Sequence, residues 1–362
     1  MSWTSRSAAS TSIATHHTTA RTPTPAAAPS APVAAGAKRR LRRRRYAFVH
    51  VGKTAGSAVG CRMGERRLCR GARRVGALGT AAACRLHMWS PGPRAACHAA
   101  RFDAWLFTLR HPVDRLVSWF HYERPGDPDG DCRPPRKAGA ACPCRLAGCF
   151  RDADAFARAA APSAGRGPWP PPGPCRPLAF DVARGQRSCR AHNAFNYEYY
   201  VHLANTFRGG SAAYPVLALR QEHLGEDWDG LEAAFGGGRG NGNETTTGAD
   251  LFRARLNPTF PRGAGAGGRP RDALSSLSDA GKAGLCAALC REMQVYKYLL
   301  FRAENLSAAQ VRQSVRELRE TCPEESAIIR DCPADMDDLR WWDLFDNSTF
   351  DIKQYLGVPI VV

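Results

Sequence analysis

At 362 residues with 44% apolar side chains, the chain can bury the core of one large catalytic domain or two modest ones. Its net charge of +18 is lopsided, because residues 1–45 hold nine basic side chains and no acid. No run of about 18 apolar residues occurs, which excludes a membrane-spanning helix in this chain. No base-reading motif accompanies "KRRLRRRR", so specific nucleic-acid recognition is not indicated.

Residues 1–45 read as a disordered basic leader, too polar to offset the entropy of ordering. Their Ser, Thr, Ala and Arg content without acids resembles an organelle transit peptide. Tyr46 to Val51 reads as a buried first strand, with a helix opening near Ser57. A second strand is expected in 101–110, and Pro112 suits the first turn of a helix through "PVDRLVSWFHY". A third strand, 214–220, precedes the helical "EHLGEDWDGLEAAF". From Ser278 to Leu306, Leu285, Leu289, Met293, Tyr296 and Leu300 recur at helical spacing as a packing face. Pro125 to Pro177 and Gly236 to Gly248 read as surface insertions in one α/β domain, 46–306, followed by a C-terminal helical extension, 307–362.

The fourteen cysteines suit a disulfide-permissive compartment, and three sequons, at Asn243, Asn305 and Asn347, agree with a secretory route. Cys142, Cys144 and Cys149 cluster closely, but a second pair at zinc-ribbon spacing is missing, so no metal is expected.

Chemistry concentrates in two segments. In "YAFVHVGKTAGSAVG" an apolar strand runs into Gly52-Lys53-Thr54-Ala55-Gly56-Ser57 and then a helix. Glycines allow backbone N–H groups to turn inward, Lys53 supplies a point charge, and Thr54 and Ser57 supply hydroxyls, together an anion cradle. Ala47, four residues and Gly52-Lys53-Thr54 formally match a nucleotide-binding loop. The four residues are Phe48, Val49, His50 and Val51, strand formers rather than loop formers, and the later strands end in Arg110 and Arg220 rather than a magnesium-binding acid. In "LFTLRHPVDRLVSWFHY", Arg110 closes a strand and Ser118 lies eight residues on, placed by a helix from Pro112 on the side of the guanidinium. Arginine with a hydroxyl makes a clamp for a phosphate monoester. The bland alternative is a surface Arg115–Asp114 pair beside a buried serine.

In order and separation, these two segments resemble those of sulfotransferases that use 3'-phosphoadenosine 5'-phosphosulfate (PAPS), close to the Golgi carbohydrate sulfotransferases. The later pieces "LRQEHLGEDWDGL" and "VYKYLLFRAENL" look like plant and algal members, and the resemblance covers roughly residues 46–306. It implies a P-loop-like three-layer α/β/α fold with a central parallel sheet. It also implies a Golgi setting and a hydroxyl acceptor, a glycan in particular. By the same resemblance Gly52, Lys53, Thr54, Gly56 and Ser57 hold the 5'-phosphosulfate, with Lys53 neutralising the leaving phosphate, while Arg110 and Ser118 bind the 3'-phosphate. For the general base there are two candidates, His87 in "RLHMW" and Glu65. His87 lies where similar uronyl 2-O-sulfotransferases place a catalytic histidine, and an imidazole suits the task; it equally suits a structural place beside Trp89. His50 reads as a strand residue facing its neighbours. "RAHNAFNYEYY", 190–200, either lines an acceptor cleft or packs, and Asn257, Thr259 and Arg262 are assigned to a cofactor-covering loop. The rival readings are a P-loop nucleotide kinase or triphosphatase and a catalytically inactive basic glycan-binding protein.

Overall fold

The computed structural model describes residues 44–63, 76–87, 96–123, 146, 148–161, 175–185, 192–193, 195–205, 214–236 and 276–322. Four parallel strands form one sheet in the order β2-β1-β3-β4: β1 Tyr46–Val49, β2 Ala82–Leu86, β3 Ala104–Leu109 and β4 Val216–Arg220. Three of them fall inside the stretches expected as strands. β2, "AACRL", adds a fourth at one edge, where its small side chains give little periodic signal.

The apolar runs are continuous because both faces of the sheet are covered. Ala47, Val49, Trp105, Phe107, Leu109, Val216 and Ala218 point into one core, whereas Tyr46, Phe48, Ala104, Leu106, Leu217 and Leu219 point into another. Helix α1 (Gly56–Arg62), α2 (Gly76–Ala81) and α7 (Leu224–Phe235) serve the second core through Val59, Leu78, Trp228 and Leu231. The first core is larger. It takes α3 (Pro112–Glu123), α4 (Ala153–Ala159), α5 (Cys175–Ala183), α6 (Tyr197–Asn205), α8 (Asp279–Ala288), α9 (Cys290–Arg302) and α10 (Ala308–Thr321).

Two details differ from expectation. The described part of 125–177 is not superficial: Phe150 and Phe156 are buried in the first core, and Cys149–Cys175 ties the segment to α5. That disulfide also removes Cys149 from any metal cluster with Cys142 and Cys144, which lie outside the described residues. The expected helix from Ser278 to Leu306 is two helices, α8 and α9, with Leu289 between them at φ −95°, ψ 11°. Leu285, Leu289, Met293, Tyr296 and Leu300 are all buried, so burial periodicity passes through a backbone break that it cannot detect.

Helix α10, from the expected C-terminal extension, is joined to the body by Cys286–Cys322 and opens with a capping box of Ser307 and Gln310. Its carbonyl of Gln310 and hydroxyl of Ser314 accept from the fully buried Arg220 at 3.0 and 3.2 Å, and Arg220 pairs with Asp227 at 2.6 Å. The outer edge of β4 is closed by residues 303–305. Asn305 donates to the Ala218 carbonyl at 2.9 Å and accepts from its N–H at 2.8 Å, so the amide of this sequon replaces a neighbouring strand. Asn243 and Asn347 lie outside the described residues. Among the described residues no helix is long and apolar enough to cross a membrane.

Candidate functional site

Parallel strands deliver their C-terminal ends to one edge of the sheet, the edge where open α/β sheets bind ligands. His50 follows β1, His87 follows β2, Arg110 follows β3, and Arg220 ends β4. The His50 N–H donates to the Leu86 carbonyl at 2.9 Å, one step beyond the paired strands, which sets His50 beside His87.

The loop leaving β1 turns sharply. Lys53 and Ala55 both adopt left-handed backbone, with φ 68° and 61°, a conformation that costs a non-glycine residue about 1–2 kcal/mol. Ala55 is followed at once by the right-handed α1, and such a reversal curls backbone N–H groups into a concavity suited to an anion. Thr54 departs from its expected part. Its hydroxyl is fully buried, donates to the Val51 carbonyl at 2.6 Å, and so receives the Thr108 hydroxyl, also at 2.6 Å. The Thr54 side chain therefore braces the loop against β3 and is not a donor toward a ligand. Lys53 and Ser57 are half-buried at the loop.

Two glycines are required by close approach rather than by turning. A Cβ on Gly56 would enter the ring of His50, and one on Gly52 would meet the ring of His192. Both imidazoles therefore lie directly on the loop.

Arg110 stands where the two sequence segments meet. Its Nη1 donates to the Lys53 carbonyl at 3.3 Å, joining the end of β3 to the cradle across 57 residues of sequence. The Tyr197 hydroxyl accepts from the Arg110 N–H at 2.7 Å and donates to its carbonyl at 2.8 Å. Burial lowers the pKa of the guanidinium, opposed by the nearby carboxylates of Asp114 and Glu222. Asp114 lies in the first turn of α3, and burial raises its pKa to about 6 against the pull of Arg110. Ser118, half-buried, is one helical turn beyond Asp114, the residue of α3 whose carboxylate interacts with Arg110. The bland alternative, a surface Arg115–Asp114 pair, does not form: Arg115 is buried, pairs with Glu292 at 3.0 Å and donates to the His192 carbonyl at 3.2 Å. "RAHNAFNYEYY" thus divides, its tyrosines packing in α6 and its His192 reaching the cradle.

The histidines form a stack. The rings of His50 and His87 lie 3.9 Å apart and nearly parallel, and His192 is tilted 5.8 Å from His87. His87 Nδ1 lies 3.0 Å from the His50 carbonyl, which can only accept, so Nδ1 carries the proton. Burial lowers the His87 pKa to about 4, with Arg85 and His192 adding to the effect, while the bond to His50 opposes it. A neutral ring with Nδ1–H presents Nε2 as a proton acceptor. His50 is held well below its ordinary pKa, first by burial and then by His87 and Arg85. Trp89 and Glu65 lie outside the described residues, as do Asn257, Thr259 and Arg262. Arg85, His192 and Tyr197 are further residues of the site. Only the pleat of β2 or long-range contacts bring them there, and no local pattern marks them.

Among the described residues no group of three His, Cys, Asp or Glu side chains is arranged to hold a metal ion. Comparison with protein-family models, with curated proteins and with solved structures gives no match.

Proposed function

We propose that this chain is a PAPS-dependent sulfotransferase of P-loop-like three-layer α/β/α type, acting on a hydroxyl acceptor, a glycan in particular. The observation that carries the reading is the bond from the Arg110 guanidinium to the Lys53 carbonyl, at the C-terminal edge of a parallel sheet that also carries the neutral His87. One cation on a strand-to-helix loop and a second on the next strand end suit a ligand with two separated anionic groups. The donor set fits the nucleotide: two cations, the half-buried hydroxyls of Ser57 and Ser118, and the reversed loop backbone at Lys53 and Ala55.

When bound, PAPS supplies an activated sulfuryl group. Gly52, Lys53, Gly56 and Ser57 hold its 5' end, and the Lys53 ammonium neutralises charge on the departing phosphate. Arg110, with Ser118, holds the 3'-phosphate, which distinguishes this nucleotide from ATP. His87 Nε2 accepts the proton of the acceptor hydroxyl, while Nδ1–H stays on the His50 carbonyl. These effects are orientation, electrostatic stabilisation and base catalysis.

Calorimetry with 3',5'-ADP tests the reading, alongside transfer of label from PAPS to a panel of glycans. The wild-type chain is expected to bind 3',5'-ADP more tightly than ATP. Lys53→Ala and Arg110→Ala should each weaken binding by about tenfold or more, the worth of a lost charge-assisted bond. No binding of 3',5'-ADP, or a preference for ATP, ends the reading.

A further inference from the structure

We propose that Arg85 and His50 are positioning residues that set the tautomer and orientation of His87, a role that rests on His87 being the proton acceptor of the proposed transfer. The chain of contacts runs in one direction. Arg85 Nη2 is hydrogen-bonded to His50 Nδ1; a guanidinium has only donors, so His50 Nδ1 accepts and its proton resides on Nε2. The His50 ring, fixed in this way, lies flat on His87 at 3.9 Å. The His50 carbonyl in turn takes the Nδ1 proton of His87 at 3.0 Å. His87 is thus held by a stacked face and by one ring nitrogen, and Nε2 is the acceptor that remains.

The backbone explains why these residues meet. Arg85 and His87 are two positions apart on β2 and its end, so the pleat sends both to the same side. Phe48 pairs with Arg85 and Val49 with Leu86, which carries β1 onward to place His50 between them. Gly56 has no Cβ to block the His50 ring from this position.

The charged and titratable groups around His87 come from four elements. Arg85 precedes it on β2, His50 follows β1, Lys53 stands on the cradle and acts on His50, and His192 precedes α6, whose Tyr200 interacts with Arg85. The cations in this set oppose protonation of the imidazoles, and burial acts in the same direction. Arg85 therefore has two effects on His87: it fixes the partner ring, and its charge adds to the burial that keeps His87 neutral.

Nitrogen-15 histidine NMR on the full chain reads both effects without any nucleotide. The wild-type spectrum should show His87 as the Nδ1–H tautomer and His50 as the Nε2–H tautomer; the opposite tautomer at either ring overturns the proposal. Arg85→Met should raise the midpoint of the His87 titration by about one pH unit, the usual effect of a nearby charge. Arg85→Lys, which keeps the charge, should restore most of it. An unmoved midpoint in a folded Arg85→Met chain also overturns the proposal. The acid limb of label transfer from PAPS should follow the same midpoints. The sulfotransferase reading fails separately, by absent binding of 3',5'-ADP, and leaves the NMR outcomes in place.

Discussion

Removing one oxygen atom from Tyr197 should loosen both the end of β3 and the anion clamp. Tyr197 is fully buried, and its hydroxyl bonds the N–H and the carbonyl of the same residue, Arg110, at 2.7 and 2.8 Å. Tyr197→Phe keeps the ring, its tilted contact with Tyr296 at 6.0 Å and its place under the Arg115 guanidinium at 5.6 Å. What it takes away is the partner of two buried backbone groups. An unsatisfied buried group costs about 1–3 kcal/mol, so the pair amounts to about 2–6 kcal/mol, reduced if water enters. For a chain of this size that corresponds to a Tm lower by roughly 3–8 °C. Thermal and urea denaturation under non-reducing conditions measure it, with an unchanged m-value showing that the unfolded state is the same. Because Arg110 loses its backbone anchor, 3',5'-ADP affinity should fall as well, although the guanidinium is intact. A loss of stability below about 0.5 kcal/mol would refute the idea that these bonds hold Arg110, since even one net hydrogen bond is worth that much.

Asp114→Asn should stabilise the chain at neutral pH. The folded state raises Asp114 to about 6, mainly by burial, and so holds its proton more tightly than the unfolded state. Stability from this group is therefore greatest in acid and falls as pH rises from about 4 to 6. The variant should gain on the order of 2 kcal/mol at pH 7 and nothing below pH 4, read by urea midpoints across pH. The same variant should bind 3',5'-ADP more tightly at pH 7.5, since a carboxylate no longer competes for Arg110; weaker binding would place Asp114 on the ligand's side of the clamp. The histidines act in the opposite sense. Burial depresses His87 and His111 to about 4, so their contribution is complete above about 6.5 and is lost as pH falls toward 4. Urea midpoints should drop over that window, and His87→Gln should reduce the drop; an equal drop in the variant would show that His87 titrates normally. Replacing Cys84 and Cys97 by serine should cost about 3 kcal/mol, the loop-closure value for a bridge of separation 13, and should impair transfer because the bridge ends one residue from Arg85. Label transfer at a temperature where the variant is still folded separates the two effects. Finally, Asn305→Ala should destabilise by about 1–2 kcal/mol through the exposed edge of β4, measured by thermal melting.

Much of the frame was legible because it depends on local chemistry. A strand buried on both faces must be apolar throughout, so β1, β3 and β4 stand out as unbroken runs. Pro112 announces the start of α3, and the periodic leucines of α8 and α9 show which side packs. Lys53 and Arg110 were marked as anion-binding residues by what surrounds them in sequence, a strand end and a turn. β2 was illegible for the converse reason: an edge strand of "AACRL" needs little apolar surface and carries no periodic signature. Thr54 was misread because a hydroxyl beside Lys53 suggests a ligand donor, and only the approach of Thr108 on β3 shows where it turns.

The sequence by itself determined which segments could form strands, which helices had an apolar side, and which two places gathered positive charge at chain reversals. These properties belong to neighbours a few residues apart. Tertiary structure alone decided that the two places touch, that Tyr197 bonds the backbone of Arg110, and that His50, His87 and His192 gather over glycines 52 and 56. It did so because a parallel sheet sends every strand end to one edge. Residues that no local pattern connects become neighbours there, and their protonation is set by burial and by one another.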